Sequence, residues 1–267
     1  MNAAISFIGT GNMGAALIKG LSGMDGVSLL GFDLDREKLN ALCAQCALQA
    51  VDTIHGAVEK AGYVLMCVKP QQMKAVLAQV HPALTADKCL ISIAAGITRE
   101  RLSEWIGHAC PVVRVMPNTP ALVGAGVSAV CLDDPHLTQE QKDVVQKIFA
   151  SVGSVHVLEE KLFDSFTAVA GSGPAYVYYF MEALIEAALA AGLPRPMATS
   201  IVGELIGGSL KLANESMTHV SVLREMVTSP GGTTIAALAH MDRMAMRAAI
   251  IDAVEAARRR GQELGAS

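Results

Sequence analysis

The chain has 267 residues, 52% of them hydrophobic, and a formal net charge of −4 at pH 7. That length suits two modest domains with ample material for a core. The acidic balance argues against a nucleic-acid partner, which calls for a basic face. The densest basic run, Arg258-Arg259-Arg260, lies between Glu255 and Glu263 and reads as favourable charge at a helix C-terminus.

The opening Met1-Asn2-Ala3-Ala4 carries no basic stretch and runs straight into a strand-like Ile5-Ser6-Phe7-Ile8. No signal peptide is expected, and the expected compartment is the cytoplasm. Further strand-like runs follow at 27–32, 63–68, 89–94, 112–115 and 126–132. Helical patterns fall between several of them, at 15–21, 36–46, 71–80 and 99–106. Tyr63–Val68 is apolar throughout, as a strand buried on both faces should be. The alternation predicts an α/β fold with a mainly parallel sheet covered by helices. Six cysteines without a secretory signal read as free thiols. The Cys43–Cys46 pair lies inside a helical run and has no second ligand pair, so packing is expected there and no metal site.

Gly9-Thr10-Gly11-Asn12-Met13-Gly14 is a GxGxxG motif that follows a strand and opens a helix. Gly9 makes the tight turn, Gly11 lets the backbone approach a pyrophosphate, and Gly14 permits close helix–strand packing. The N–H groups of the helix start then face the phosphates. Asp33, nineteen residues after Gly14 and at the end of the second strand, is placed for the ribose 2′-hydroxyl of NAD. Arg36 could pair with the 2′-phosphate of NADP, whereas Asp33 and Asp35 would repel it, so NAD and NADP both stay open with a lean towards NADH. Three more strand ends point to the same crevice. They are Val68-Lys69-Pro70, Ala94-Ala95-Gly96 and Met116-Pro117-Asn118-Thr119-Pro120. Lys69 is expected to meet the cofactor or the substrate, and Asn118 to offer its amide to the nicotinamide end.

After Glu159 the strand patterns stop, and helical runs rich in Ala, Leu and Gly cover 174–191, 196–213, 218–228, 233–241 and 244–262. The expected boundary therefore separates a dinucleotide-binding domain, 1–159, from an all-helical domain, 160–267. The longest apolar stretch, Ala175–Leu193, contains Glu182 and Glu186, which would be costly in mid-bilayer; a buried helix is expected, and no membrane partner. Several helices are apolar nearly all round, more than about 105 residues can hide, so an obligate dimer through this half is expected. Within it, Thr228-Ser229-Pro230-Gly231-Gly232-Thr233-Thr234 is a polar break between two apolar helical runs. Pro230 suits a first helical position, and Gly231 and Gly232 clear side chains from the N–H groups of the next helix. A carboxylate-sized anion fits there, with the hydroxyls of Ser229, Thr233 and Thr234 close by.

Taken in order, these motifs resemble the Δ1-pyrroline-5-carboxylate reductase family. The likeness rests on Phe7–Gly14, Val68-Lys69-Pro70, Ser92–Gly96, Met116–Pro120 and Gly171-Ser172-Gly173-Pro174-Ala175-Tyr176, and above all on Leu223–Ile235. It implies an N-terminal Rossmann domain and an all-helical domain that interlocks with a second subunit, in dimers that commonly assemble into decamers. It also implies hydride transfer from NADPH or NADH to 1-pyrroline-5-carboxylate, giving L-proline. The carboxylate would rest on N–H groups around Gly231, Gly232 and Thr233 with help from Ser229, and Thr234 would hydrogen-bond the imine nitrogen. Either the imine arrives protonated or water supplies the proton. Members that prefer NADPH usually carry a small polar residue where Asp33 stands here. A β-hydroxyacid dehydrogenase is the alternative enzyme, with Lys211 and Asn214 in the order opposite to that family's; a non-catalytic NAD(P)-binding protein is the alternative of another class.

Overall fold

A computed structural model describes residues 3–266; Met1 and Asn2, part of the expected start, lie outside the described residues. The first part of the chain runs β1 (Ala3–Ile8), α1 (Asn12–Leu21), β2 (Val27–Phe32), α2 (Arg36–Cys43), β3 (Leu48–Ala50), α3 (Ile54–Glu59) and β4 (Tyr63–Met66). It continues with α4 (Pro70–Val80), β5 (Cys89–Ser92), α5 (Arg99–Trp105), β6 (Val112–Met116), β7 (Gly126–Cys131), α6 (Gln139–Ala150), β8 (Gly153–Val157) and α7 (Phe163–Phe166). A wide helical turn, Thr167–Gly171, leads into α8 (Gly173–Ala190), α9 (Arg195–Ser216), α10 (Val220–Met226), α11 (Thr233–Arg243) and α12 (Met246–Ala266).

The eight strands form one sheet in the order β3-β2-β1-β4-β5-β6-β7-β8. Pairs from β3 to β6 are parallel, β6 and β7 are antiparallel, and β8 runs parallel to β7. The chain order reverses at the β1/β4 neighbours, where open α/β sheets place their ligand crevice.

Because strand side chains alternate, adjacent residues feed opposite cores. Phe7, Leu65 and Ile91 pack with Leu17, Ile148 and Phe149 on one face. Ile8, Met66 and Leu90 pack with Met73, Leu77 and Leu102 on the other. Each fully buried Leu, Ile or Phe contributes roughly 1.5–3 kcal/mol, so the buried apolar residues of β4 and β5, Tyr63–Met66 and Cys89–Ile91, hold the centre of the sheet. The helix expected over 36–46 ends at Cys43, which leaves Cys46 just beyond it; both pack beside the first core. All six thiols are free, and burial pushes those of Cys67 and Cys110 up to about 12.

By contacts the chain divides into two compact units. One reaches Ser172 and takes in the last stretch of the chain from Ala257; the other is Gly173–Ala256. The second unit hardly has a core. Ala198 and Val202 are its buried residues, while Tyr179, Leu205, Leu210, Val220, Met226 and Ile251 stand exposed. No described helix is long and apolar enough to cross a membrane.

Candidate active site

In the first unit, the glycine-rich turn between β1 and α1 has the shape its sequence demands. Gly9 has φ +96°, and a Cβ there would stand 2.9 Å from the Cys67 carbonyl oxygen. At Gly14 a Cβ would come within 2.7 Å of the Gly9 carbonyl oxygen, so α1 lies as close to the turn as backbone allows. Around Gly11 the space is open. Gly11 is also the N-cap of α1, no side chain caps it, and the first bond back to it comes from the Ala15 N–H. The N–H groups of Asn12, Met13 and Gly14 precede that bond and form a bare cradle for a phosphate. A dinucleotide pyrophosphate fits this cradle.

Asp33, just after β2, turns back onto the same loop. Its Oδ2 accepts from the Thr10 N–H at 2.6 Å and the Thr10 hydroxyl at 2.9 Å; Oδ1 accepts from the Asp35 N–H at 3.0 Å. Burial alone would raise its carboxyl pKa, but these three bonds and the nearby Lys38 charge outweigh it and hold the group below the ordinary carboxylate range. Arg36 is engaged elsewhere. Its Nη1 donates to the Val51 carbonyl at 3.0 Å and its Nη2 to the Asp52 carbonyl at 2.8 Å.

The other strand ends gather beside this loop. Val68 packs 3.4 Å from the position a Gly9 Cβ would take. Lys69 is the exposed N-cap of α4, with Pro70 at the first helical position. Ala95 is exposed, and Gly96 turns the chain after β5 with φ +76°. The backbone of Leu264, near the end of α12, comes 3.6 Å from where a Gly96 Cβ would sit, a neighbour that nothing in the local sequence announces. Asn118 also has a role within the fold. Its Nδ2 donates to the Ala170 carbonyl at 3.0 Å, and its Oδ1 accepts from the Val127 N–H at 2.8 Å. The buried amide is thus a strut between β7 and the Thr167–Gly171 turn, with one N–H left over.

In the second unit, the 228–234 segment forms the tight link from α10 to α11. Pro230 is not at a first helical position, because α11 starts only at Thr233. Instead Ser229–Gly232 is a reverse turn: the Gly232 N–H donates to the Ser229 carbonyl at 3.1 Å, with Pro230 second and Gly231 third at φ +67°. Proline pre-sets the second position of such a turn, and only glycine takes positive φ freely at the third. Gly232 caps α11 without a side chain, and the first bond back to it comes from the Ala236 N–H at 3.3 Å. The N–H groups of Thr233, Thr234 and Ile235 therefore start the helix uncapped. A Cβ at Gly232 would strike the Ser229 hydroxyl at 2.6 Å, while Gly231 faces open space. Lys211, considered as the acid/base of the alternative enzyme, is exposed on α9 and lies 3.9 Å from Glu215.

Comparison with known proteins agrees with both halves. Residues 160–264 match the family model for pyrroline-5-carboxylate reductase dimerisation, and residues 4–96 match that for NADP oxidoreductase, coenzyme F420-dependent. The chain is 37% identical to the pyrroline-5-carboxylate reductase of Pisum sativum, over 97% of this chain and 95% of that one. It is 35% identical to that of Escherichia coli K12, over the full length of both. The chain belongs to the pyrroline-5-carboxylate reductase family. Among solved reductases of this family, that of Coxiella burnetii superposes with a TM-score of 0.90 at 33% identity, covering 99% of each chain. That of Plasmodium falciparum, solved with NADP bound, gives 0.89 at 32% identity over 99% of this chain and 98% of that one. A 3-hydroxyisobutyrate dehydrogenase from Mycobacterium tuberculosis, 16% identical with a TM-score of 0.52, shares the fold alone.

Proposed function

We propose that this NAD(P)H-dependent reductase of pyrroline-5-carboxylate takes its substrate at the glycine-rich start of α11. The observation that carries the reading is the bare helix start behind the Ser229–Gly232 turn, in a chain that aligns from end to end with reductases of this activity. The uncapped N–H groups of Thr233 and Thr234, left open by the side-chain-free Gly231 and Gly232, hold the substrate carboxylate, and the exposed Ser229 hydroxyl adds a further donor. The Pro230–Gly231 turn is stiff, so these groups need little reordering when the anion arrives.

Bound NAD(P)H supplies the hydride to the imine carbon. Thr234 follows one residue along α11, and its hydroxyl hydrogen-bonds the ring nitrogen. The charge on that nitrogen changes during reduction, so the bond differs between ground and transition states and contributes to kcat. An alcohol is too weak an acid to protonate the nitrogen by itself; the proton comes from water, before or during hydride arrival. On the nucleotide side, the N–H groups after Gly11 take the pyrophosphate and Asp33 takes the ribose, with Val68-Lys69-Pro70 and Ala95-Gly96 as the neighbouring walls.

The helical unit serves oligomerisation, since two buried residues among its 84 make no core and a second subunit covers the exposed apolar faces. We place the start of this dimerisation region at 160, and take the dimer as the unit from which a decamer is built. The acidic net charge fits a cytoplasmic enzyme without nucleic-acid or membrane partners. The deciding assay follows NAD(P)H absorbance with pyrroline-5-carboxylate and identifies proline as product. Failure to consume the reduced nucleotide with this substrate would refute the reading.

A further inference from the structure

The Thr10–Asp33 contact joins two residues that a dinucleotide-binding motif does not by itself require to touch. Thr10 is wholly buried, and both its N–H and its hydroxyl end on one oxygen of Asp33. An ionised carboxylate offers about four acceptor sites. Protein donors fill three of them here, from Thr10 twice and Asp35 once. The remaining capacity suits a ribose hydroxyl, which donates. It offers nothing to a 2′-phosphate, which also only accepts and carries charge of the same sign.

A site for NADP would need a cation at the same place. Arg36 is the nearest candidate in sequence, yet its guanidinium is tied to the Val51 and Asp52 carbonyls and lies 3.4 Å from the Asp52 carboxylate. It also stacks over Phe32 at 5.6 Å. Moving it to a phosphate would break two hydrogen bonds and leave those carbonyls to solvent. The acid is therefore locked in and the Arg36 guanidinium is held away, while the Lys38 charge near Asp33 is offset by that same carboxylate.

We infer that Thr10 is a positioning residue that fixes Asp33 as the acceptor for a ribose hydroxyl, so that this reductase binds NADH more tightly than NADPH. The inference rests on the dinucleotide reading of the Gly9–Gly14 loop and adds a specificity to it. Asp33 is the group that touches the nucleotide; Thr10 acts through it.

Calorimetric titration with NADH and with NADPH, without substrate, tests this by binding alone. The parent protein should show a larger Kd for NADPH than for NADH. Thr10→Val keeps the side-chain volume and removes the hydroxyl, and it should reduce the NADPH/NADH ratio of Kd by about 3–10-fold, the net worth of one hydrogen bond. Thr10→Ser restores the hydroxyl and should restore the parental ratio. Should Thr10→Val fail to fold, Asp33→Asn gives the same reading: the ratio falls because the charge is gone. NADPH binding as tight as NADH in the parent, or a parental ratio in Thr10→Val, or one in Asp33→Asn, overturns the lock. Binding of neither nucleotide would overturn the dinucleotide reading itself and the lock with it.

Discussion

Replacing Thr234 by Ala separates catalysis from helix capping. Thr234 is the second residue of α11, the cap of that helix is Gly232, and no side chain caps it. Among the described residues, no hydrogen bond from the Thr234 hydroxyl is found in the folded chain. The substitution therefore removes no internal bond and replaces a residue of modest helix propensity with the best one, a change worth up to about 0.6 kcal/mol in favour of the helix. Thermal stability should stay level or rise slightly. A hydrogen bond to a group that carries charge in the transition state is worth about 1.5–3 kcal/mol, so kcat/KM should fall by roughly 10–150-fold. Steady-state kinetics with pyrroline-5-carboxylate, together with a melting curve and a nucleotide Kd, read all three quantities. Wild-type kcat and KM in Thr234→Ala would refute the catalytic assignment. A large loss of Tm would refute the claim that the hydroxyl is free of the fold.

Three further outcomes follow from the geometry. Gly232→Val puts a side chain against the Ser229 hydroxyl at the mouth of the carboxylate cradle; KM for the imine should rise about 10-fold, the roughly 1.5 kcal/mol of a hydrogen bond to a charged group, with nucleotide affinity unchanged by titration. The protein should remain a dimer or larger at micromolar dilution in analytical ultracentrifugation; an active, stably folded monomer would contradict the covered helical faces. Asp134 accepts from the Val112 and His136 N–H groups at 3.0 and 2.9 Å and pairs with Arg99 at 3.6 Å. Burial works to raise its pKa, but those bonds and the Arg99 charge lower it below the ordinary value of about 3.9. A carboxyl lowered in the folded state adds stability above that ordinary value and loses it as pH falls through the folded one. The urea midpoint should be level from pH 7 to about 5 and drop below about 4. Asp134→Asn should lower stability at pH 7 by about 1.5–3 kcal/mol and flatten that acid drop.

The parts of the molecule that could be read beforehand are those with a local physical signature. The six strands with apolar runs, the fingerprint loop and the five helices after Gly173 all announce themselves through spacing. The two strands left unread have little to announce: β3 is three residues long with Gln49 at its centre, and β8 is a largely exposed edge strand that includes His156. The helices α3 and α6 were legible in principle, since Thr53 caps one and a Thr138–Gln141 capping box opens the other. Partners distant in sequence had no such signature. The 23-residue span between Thr10 and Asp33, or the 52-residue span from Asn118 to Ala170, leaves no periodic trace, and so the strut made by the Asn118 amide could not be read beforehand. Pro230 misled for another reason: a proline followed by two glycines suits a reverse turn as well as a helix start.

The near absence of buried residues between Gly173 and Ala256 has a genetic consequence. Where a fold's core lies between identical subunits, each substitution enters the assembly once per copy, and in a two-fold contact its cost is counted twice. Exposed positions such as Leu205, Leu210 and Ile251 should then tolerate change less than their accessibility in a single chain suggests. Mixed assemblies of altered and unaltered chains would be intermediate, so an altered copy made alongside a normal one would weaken its partner as well.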